Sequence, residues 1–407
     1  GDNWKWTRYV SQDGGGTFQI VVTDSKLAPL PQNARQGYAT WHPTDPNIAW
    51  NLGGDWVTKS TDGGRTFLWS ANGYNGVMLG GMFSFSAHAP GVVFLAFQDY
   101  NGAFTTDGGE TWNYRDVSGR GWGGYCYGGH AVDARVMWFG DAPDWGGKRT
   151  LRLSRDGGKT WANATGADGL PLTFSGPDVS YSDPADVRVL FASNLRSDDK
   201  GVTWRPMSDC DGVYTCRFAT GTLIGKKKST VVRSDDRGVT WTKVADVEGG
   251  VDDLAVDQKT GRIYAASQER LKAFENGAWR TVETPRDQYG NVRVTTVAAD
   301  PKVPAVLYVG GPRNLYASHA TVCRSTDGGT TWTNLTVTTP LSKEGADGPH
   351  EVSAIRVDPV TRDAWVNGQC FGMWRIASPG AKEGGLSAVR ASAPRAEAPP
   401  PVIATRP

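Results

Sequence analysis

The sequence is poor in almost every feature that assigns a protein to a class at sight. No apolar run approaches the roughly 20 residues that a membrane-spanning helix needs, so a membrane partner is not expected. Basic and acidic residues nearly cancel, 43 against 42, for a formal net charge of +1. Nucleic acid and anionic lipid surfaces therefore lack the basic footprint they require. Five cysteines in 407 residues are too few for a disulfide-dense scaffold, and their spacing does not suit a zinc ribbon. Cys210 and Cys216 alone are close neighbours, and both a short-loop disulfide and two reduced thiols on adjacent strands remain open. The chain starts at Gly1-Asp2 without a basic-then-apolar leader, as a mature exported form would. A secreted or periplasmic monomer is the expectation.

What is abundant is glycine, 52 residues, and tryptophan, 17 residues, with short Val-, Thr-, Phe- and Trp-rich runs between turn residues. That is an all-β profile. Seven segments share one pattern: Ser11–Phe18, Ser60–Phe67, Thr105–Trp112, Ser154–Trp161, Ser197–Trp204, Ser234–Trp241 and Ser325–Trp332, each a Ser/Thr-x-Asp-x-Gly-x-Thr-aromatic run. Glu275-Asn-Gly-Ala-Trp279 is a worn copy. The pattern makes sense as a hairpin turn. Aspartate accepts hydrogen bonds from the turn's own backbone, glycine supplies positive φ, and the aromatic ring packs beneath. Between these turns run pairs of apolar strands, as in Val294–Pro301 followed by Ala305–Val309. Spacings of about 37 to 53 residues fit four antiparallel strands per unit.

This repeat resembles the Asp-box, or BNR repeat, of sialidases, xyloglucanases, sortilin-type receptors and photosystem assembly factors. The resemblance implies a single β-propeller over residues 1–378, followed by a Pro/Ala-rich tail at 379–407. Eight four-stranded blades are expected, closed by the N-terminal hairpin at 4–22. Seven is the alternative if 250–285 is not a full blade. The resemblance also places the boxes between third and fourth strands, with ligand sites on the opposite face, so the box aspartates are read as structural. His42, His88 and His130 are expected in turns on the box side.

Candidate chemistry lies in the loops of the other face. Asp55, Asp99 and Asp141, with Asp144, are spread over three consecutive units, and glycosidic cleavage commonly needs two carboxyl groups flanking the scissile bond. Trp56, Tyr100, Trp122 and Trp145 offer faces on which sugar rings pack. Arg35, Arg149 and Arg313 reach the same face, and arginines clustered at one pocket would bind a uronate carboxylate. In that case Tyr127 or His350 would serve as the base of a β-elimination.

The run His42-Pro-Thr-Asp-Pro-Asn-Ile-Ala-Trp50 followed by Gly53-Gly54 looks like the opening blade of xyloglucanase-type propeller hydrolases. Where that family carries a catalytic aspartate this chain has Asn51, and that family's cleft lies between two propellers whereas this chain has length for one. Three function classes follow, led by a hydrolase that cleaves a polysaccharide or oligosaccharide with paired carboxylates. A uronate-directed lyase and a non-catalytic glycan- or protein-binding propeller are the others. No cofactor is required by the sequence, although Asp-rich loops leave room for Ca²⁺.

Overall fold

In a computed structural model of the chain, the described residues are 8–21, 37–53, 56–65, 68–69, 82–99, 101–115, 117, 124–144, 148–174, 176–287, 290–314, 320–336, 351–368, 372–378 and 387–388. Among them the protein is all-β, without a helix, so none is long and apolar enough to cross a membrane. Six antiparallel sheets have four strands each, in sequence order, over residues 37–69, 180–206, 212–246, 253–282, 296–334 and 352–388. An eight-stranded sheet joins the strands of 93–115 to those of 124–174, through pairing of Gly124 with Asp99 and Tyr125 with Gln98.

Burial follows strand position. Met137–Ala142, a second strand, is buried at every residue, as expected for a strand covered on both faces. Arg270–Glu275, a third strand, alternates, with Leu271 and Ala273 inward. Apolar side chains interdigitate between consecutive sheets. Val189, Phe191 and Met207 pack with Val213, Leu223 and Val232, and Tyr214 and Ile224 with Leu254 and Ile263. Tyr264, Ala266 and Leu271 pack with Val297 and Leu307, and Tyr308 and Val322 with Ile355 and Trp374. One cluster joins segments far apart in sequence: Phe83, Val93, Leu95 and Trp112 pack with Ala354, Trp365 and Met373. Trp365 there meets Phe85 at 5.2 Å and Trp112 at 6.2 Å between ring centroids. Among the described residues no side chain of the sheet at 37–69 joins these clusters, and its buried Ala49 packs with Val10 of the N-terminal hairpin.

The repeated turns behave as their sequence demands. Ser234 Oγ donates to Asp236 Oδ1 at 2.7 Å and accepts from Gly238 N at 2.7 Å. Asp236 in turn accepts from Thr240 N at 2.9 Å and Thr240 Oγ1 at 2.6 Å. The same bonds recur at Ser154/Asp156/Thr160 and Ser325/Asp327/Thr331. At Asp156 the Thr160 hydroxyl and amide hold the carboxyl well below the usual carboxylate range. Gly238 has φ +80°, and a Cβ there would come within 2.7 Å of the Phe191 ring. Apart from Ser11–Phe18, which joins the two strands of the N-terminal hairpin, the turns connect third and fourth strands, and several sit beside the turn between first and second strands. Gly63 N donates to Asn47 O, Gly157 N to Arg135 O, and Gly328 N to Ala305 O. The starts of the first strands therefore lie at the opposite face.

One expectation, that for His130, is corrected, and the chain ends and cysteines take the following forms. The sheet at 352–376 takes its fourth strand from Ser387–Ala388, which pairs with Arg375 and Trp374, inside the segment read as a tail. The N-terminal hairpin forms a two-stranded sheet of its own. The outer edge of Gly372–Ile376 is thus satisfied by chain that follows it directly. His130 does not lie in a turn but in the strand Gly124–Ala131, wholly buried. Its Nδ1 is 2.7 Å from Ser84 Oγ and its Nε2 3.1 Å from Ser182 Oγ, and burial pushes its pKa down to about 3. His42 and His88 are turn residues as expected. His42 Nδ1 accepts from Asp45 N, and His88 Nε2 is 2.7 Å from Asp183 O. Finally, Cys210 and Cys216 are free, buried thiols within one stretch of chain rather than a bonded pair.

Candidate active site

At the face opposite the repeated turns, the starts of the first strands surround a depression of about 700 Å³. Its wall carries one acidic residue from each of several sheets. Asp178 lies two residues before the strand Ser180–Ser182, Asp252 directly before Asp253–Val256, and Glu351 directly before Val352–Val357. Glu269 joins them from the turn between Ile263–Ser267 and Arg270–Glu275. Lys226 and Tyr214 complete one side.

The four carboxylates differ in environment. Asp178 faces Arg149, whose Nη2 donates to Oδ2 at 2.8 Å while Nε lies 2.6 Å from Oδ1. Burial pushes its pKa up to about 6, against the pull of that guanidinium. Glu269 is gripped by Arg293, whose Nε donates to Oε2 at 2.7 Å and Nη2 to Oε1. These bonds hold Glu269 below the usual range. Among the described residues Asp252 has no such clamp. It opens into the depression, yet the surrounding walls desolvate it and raise its pKa, with Asp253 and Glu269 adding to the rise and Lys226 opposing it. Glu351 is half-buried and lines the same depression, its backbone bridged to Pro312. Lys226 donates to Val251 O at 2.7 Å and lies 5.8 Å from the Tyr214 ring centroid. Burial lowers its pKa, although Asp252, Asp211 and Asp253 favour the charge.

Asp253 is directed the other way. It is fully buried and accepts from Arg356 Nη1 at 2.8 Å and Nη2 at 3.0 Å, Thr296 Oγ1 at 2.6 Å and Val297 N at 3.1 Å. Adjacent aspartates thus divide into one that opens to the depression and one that ties three first strands together.

Of the residues singled out in the sequence, Tyr127 and Arg149 are brought together, the guanidinium 4.5 Å above the ring centroid. Tyr127 is buried, and Arg149 is committed to Asp178. Asp141 lies within a strand rather than a loop, 9% exposed and 3.4 Å from Arg152 Nη1. Its pairing opposite Thr150 shows why: the hairpin that follows is shorter than the loop expected there. Asp99 and Trp56 likewise belong to strands, Val93–Asp99 and Trp56–Ser60, and only their backbones are described. Asp144 is exposed. Arg313 is half-buried and accepts at its carbonyl from Arg293 Nη1 at 3.0 Å. Asp55, His350, Tyr100, Trp122, Trp145 and Arg35 lie outside the described residues. Among the described residues no group of three or more His, Cys, Asp or Glu is arranged to hold a metal ion.

Asp178, Asp252, Glu269 and Glu351 were not singled out by motif. The signal that would have found them is positional: an acidic residue recurs at or just before the first strand of several units, in Pro177-Asp178, Val251-Asp252 and His350-Glu351.

No protein-family model and no curated protein matches this chain. Solved structures do resemble it. The GH74 xyloglucanase from Xanthomonas campestris superposes with a TM-score of 0.59 at 19% identity, covering 78% of this chain and 54% of that one. A GH74 enzyme from Niastella koreensis gives 0.55 at 17%, covering 79% and 56%. A structure of YCF48 bound to a D1 peptide gives 0.51 at 14%, covering 86% of this chain and 99% of that one. The chain thus spans about half the length of the two GH74 enzymes and nearly all of YCF48. At these identities the likeness establishes the fold, a β-propeller.

Proposed function

We propose that this propeller hydrolyses glycosidic bonds of a polysaccharide or oligosaccharide at the depression where the first strands begin, with Asp252 as general acid and Glu351 as its partner carboxylate. The observation that carries the reading is the contrast within one wall. Asp252 is unclamped with a raised pKa, as a proton donor to a leaving oxygen requires. Arg149 and Arg293 are each held by a carboxylate, which leaves them unsuited to gripping a uronate and favours hydrolysis over elimination. Asp55, Asp99 and His350 stay in the proposal as candidates drawn from the sequence. The proposed setting is extracellular, with the protein acting as a monomer.

The proposal includes the architecture. Seven interfaces link the sheets from 82 to 388 in sequence order and return from Trp365 to Phe85 and Trp112, which supports seven blades of Asp-box type. On this reading 37–69 is an additional sheet rather than the first blade of eight.

The test is release of reducing ends from a panel of neutral and acidic glycans by the wild type and by Asp252→Asn. Loss in the variant, with fold retained, supports the assignment; equal activity in both refutes it. A second reading rests on the near-complete coverage of YCF48, a structure of which holds a peptide. If the propeller binds without cleaving, an extended peptide would occupy the depression, and the sign would be peptide affinity with no product from any glycan.

A further inference from the structure

A second hollow, of about 260 Å³, lies directly beside the main depression, and the two share Gln268 and Glu269 as their common wall. These two residues form a tight hairpin turn, both with positive φ, 51° and 60°, the backbone of a two-residue I′ turn. The ridge is fixed from three sides. Arg293 grips the Glu269 carboxylate from one, and Val294 N donates to Glu269 O at 2.9 Å. On the third, Gly249, at φ +85°, leaves the space that the Gln268 side chain fills; a methyl group there would overlap it. Toward the main depression the Gln268 backbone N–H faces the Asp252 carboxyl. The Gln268 side chain itself is exposed, and among the described residues its amide has no protein hydrogen-bond partner.

A fixed, unpartnered primary amide offers donors and an acceptor together, the combination that matches neighbouring hydroxyl groups. Behind it the second hollow is lined by Thr281, Thr284 and Asn291, which add further short polar groups, and by the apolar Leu271, Val282 and Val292. We infer that this hollow is a subsite for the next sugar unit of a polymer, with Gln268 recognising a pair of adjacent hydroxyls, so that the chain is held on both sides of the ridge. The inference rests on the hydrolytic reading of the main depression and specifies its substrate: an internal stretch of a hydroxyl-rich glycan rather than a single terminal sugar.

The test compares binding of two-unit and six-unit oligosaccharides from cellulose, mannan and polygalacturonate by titration calorimetry. The proteins are Asp252→Asn, to stop turnover, and the same protein carrying Gln268→Ala or Gly249→Ala. The Asp252→Asn protein should bind at least one six-unit oligosaccharide ~10-fold more tightly than its two-unit counterpart, the scale of one or two well-made hydrogen bonds. Gln268→Ala and Gly249→Ala should each shrink that preference to about threefold or less. A length preference that survives both variants, or none to begin with, overturns the subsite while leaving the hydrolytic reading intact. If wild type cleaves no glycan and no oligosaccharide binds, both fall.

Discussion

Replacing Arg356 with leucine removes the counter-charge of a carboxylate that water cannot reach. Asp253 is 0% exposed and Arg356 12%, and the pair spans from the strand Asp253–Val256 across Thr296 to Val352–Val357. Breaking a buried pair from one side typically costs about 3–5 kcal/mol, because the surviving charge is left uncompensated. Here Thr296 Oγ1, Val297 N and Leu254 N still donate to Asp253, so the lower end applies, about 3 kcal/mol. Arg356 Nη2 also touches Met82 Sδ at 3.0 Å, which links the variant to the segment packed against Trp365. Urea unfolding followed by tryptophan fluorescence on wild type, Arg356→Leu, Asp253→Asn and the double variant reads the effect. Neutralising Asp253 in the Arg356→Leu background should recover part of the loss, giving a coupling above about 1 kcal/mol. An Arg356→Leu protein within about 1 kcal/mol of wild type, or single losses that simply add, would refute the view that this pair ties the first strands together.

Three further outcomes follow from named contacts. Asp236→Ala removes the acceptor for Ser234, Val239 and Thr240 and should cost about 1–3 kcal/mol in urea unfolding. Glycan turnover per folded molecule should stay unchanged, and an activity loss without a stability loss would place the repeated turns in the chemistry. His130 is buried neutral with its pKa lowered to about 3, so the unfolded chain takes up a proton first as pH falls below its ordinary value of 6.5. Stability should therefore decline by roughly 1.4 kcal/mol per pH unit below that point from this residue alone, and the decline should be shallower in His130→Gln by thermal melts across pH 4–7. Equal slopes would contradict the burial argument. Asp141→Asn, next to Arg152 inside a sheet, should lower stability by about 1–3 kcal/mol with kcat retained; a selective kcat loss would return Asp141 to the catalytic set.

The repeated turns were legible in the sequence because their chemistry is local. Ser234, Asp236, Gly238 and Thr240 satisfy one another within seven residues, so composition and spacing suffice. His130 was misplaced for the opposite reason: its partners, Ser84 and Ser182, lie about fifty residues away on either side, and no local pattern distinguishes a turn histidine from one buried at the end of a strand. The candidate site was half legible. Turn position pointed to the face on which the depression opens, and Tyr127 and Arg149 do meet. The loops that drew attention through their aspartates prove in part to be strand, as at Asp141. Asp252 and Glu269 went unnoticed because their place in the wall depends on which strands neighbour which around the depression. Asp252 and Asp253 are consecutive in sequence, yet one opens to the cavity and the other anchors Arg356.

The most direct test of the account is the pH profile of glycan hydrolysis by wild type and Asp252→Asn, with circular dichroism confirming the fold of both. The account predicts a basic limb set by a carboxyl titrating above its usual range and a loss of roughly 10²–10⁴-fold in Asp252→Asn. Undiminished hydrolysis by folded Asp252→Asn, with the same basic limb, would contradict it.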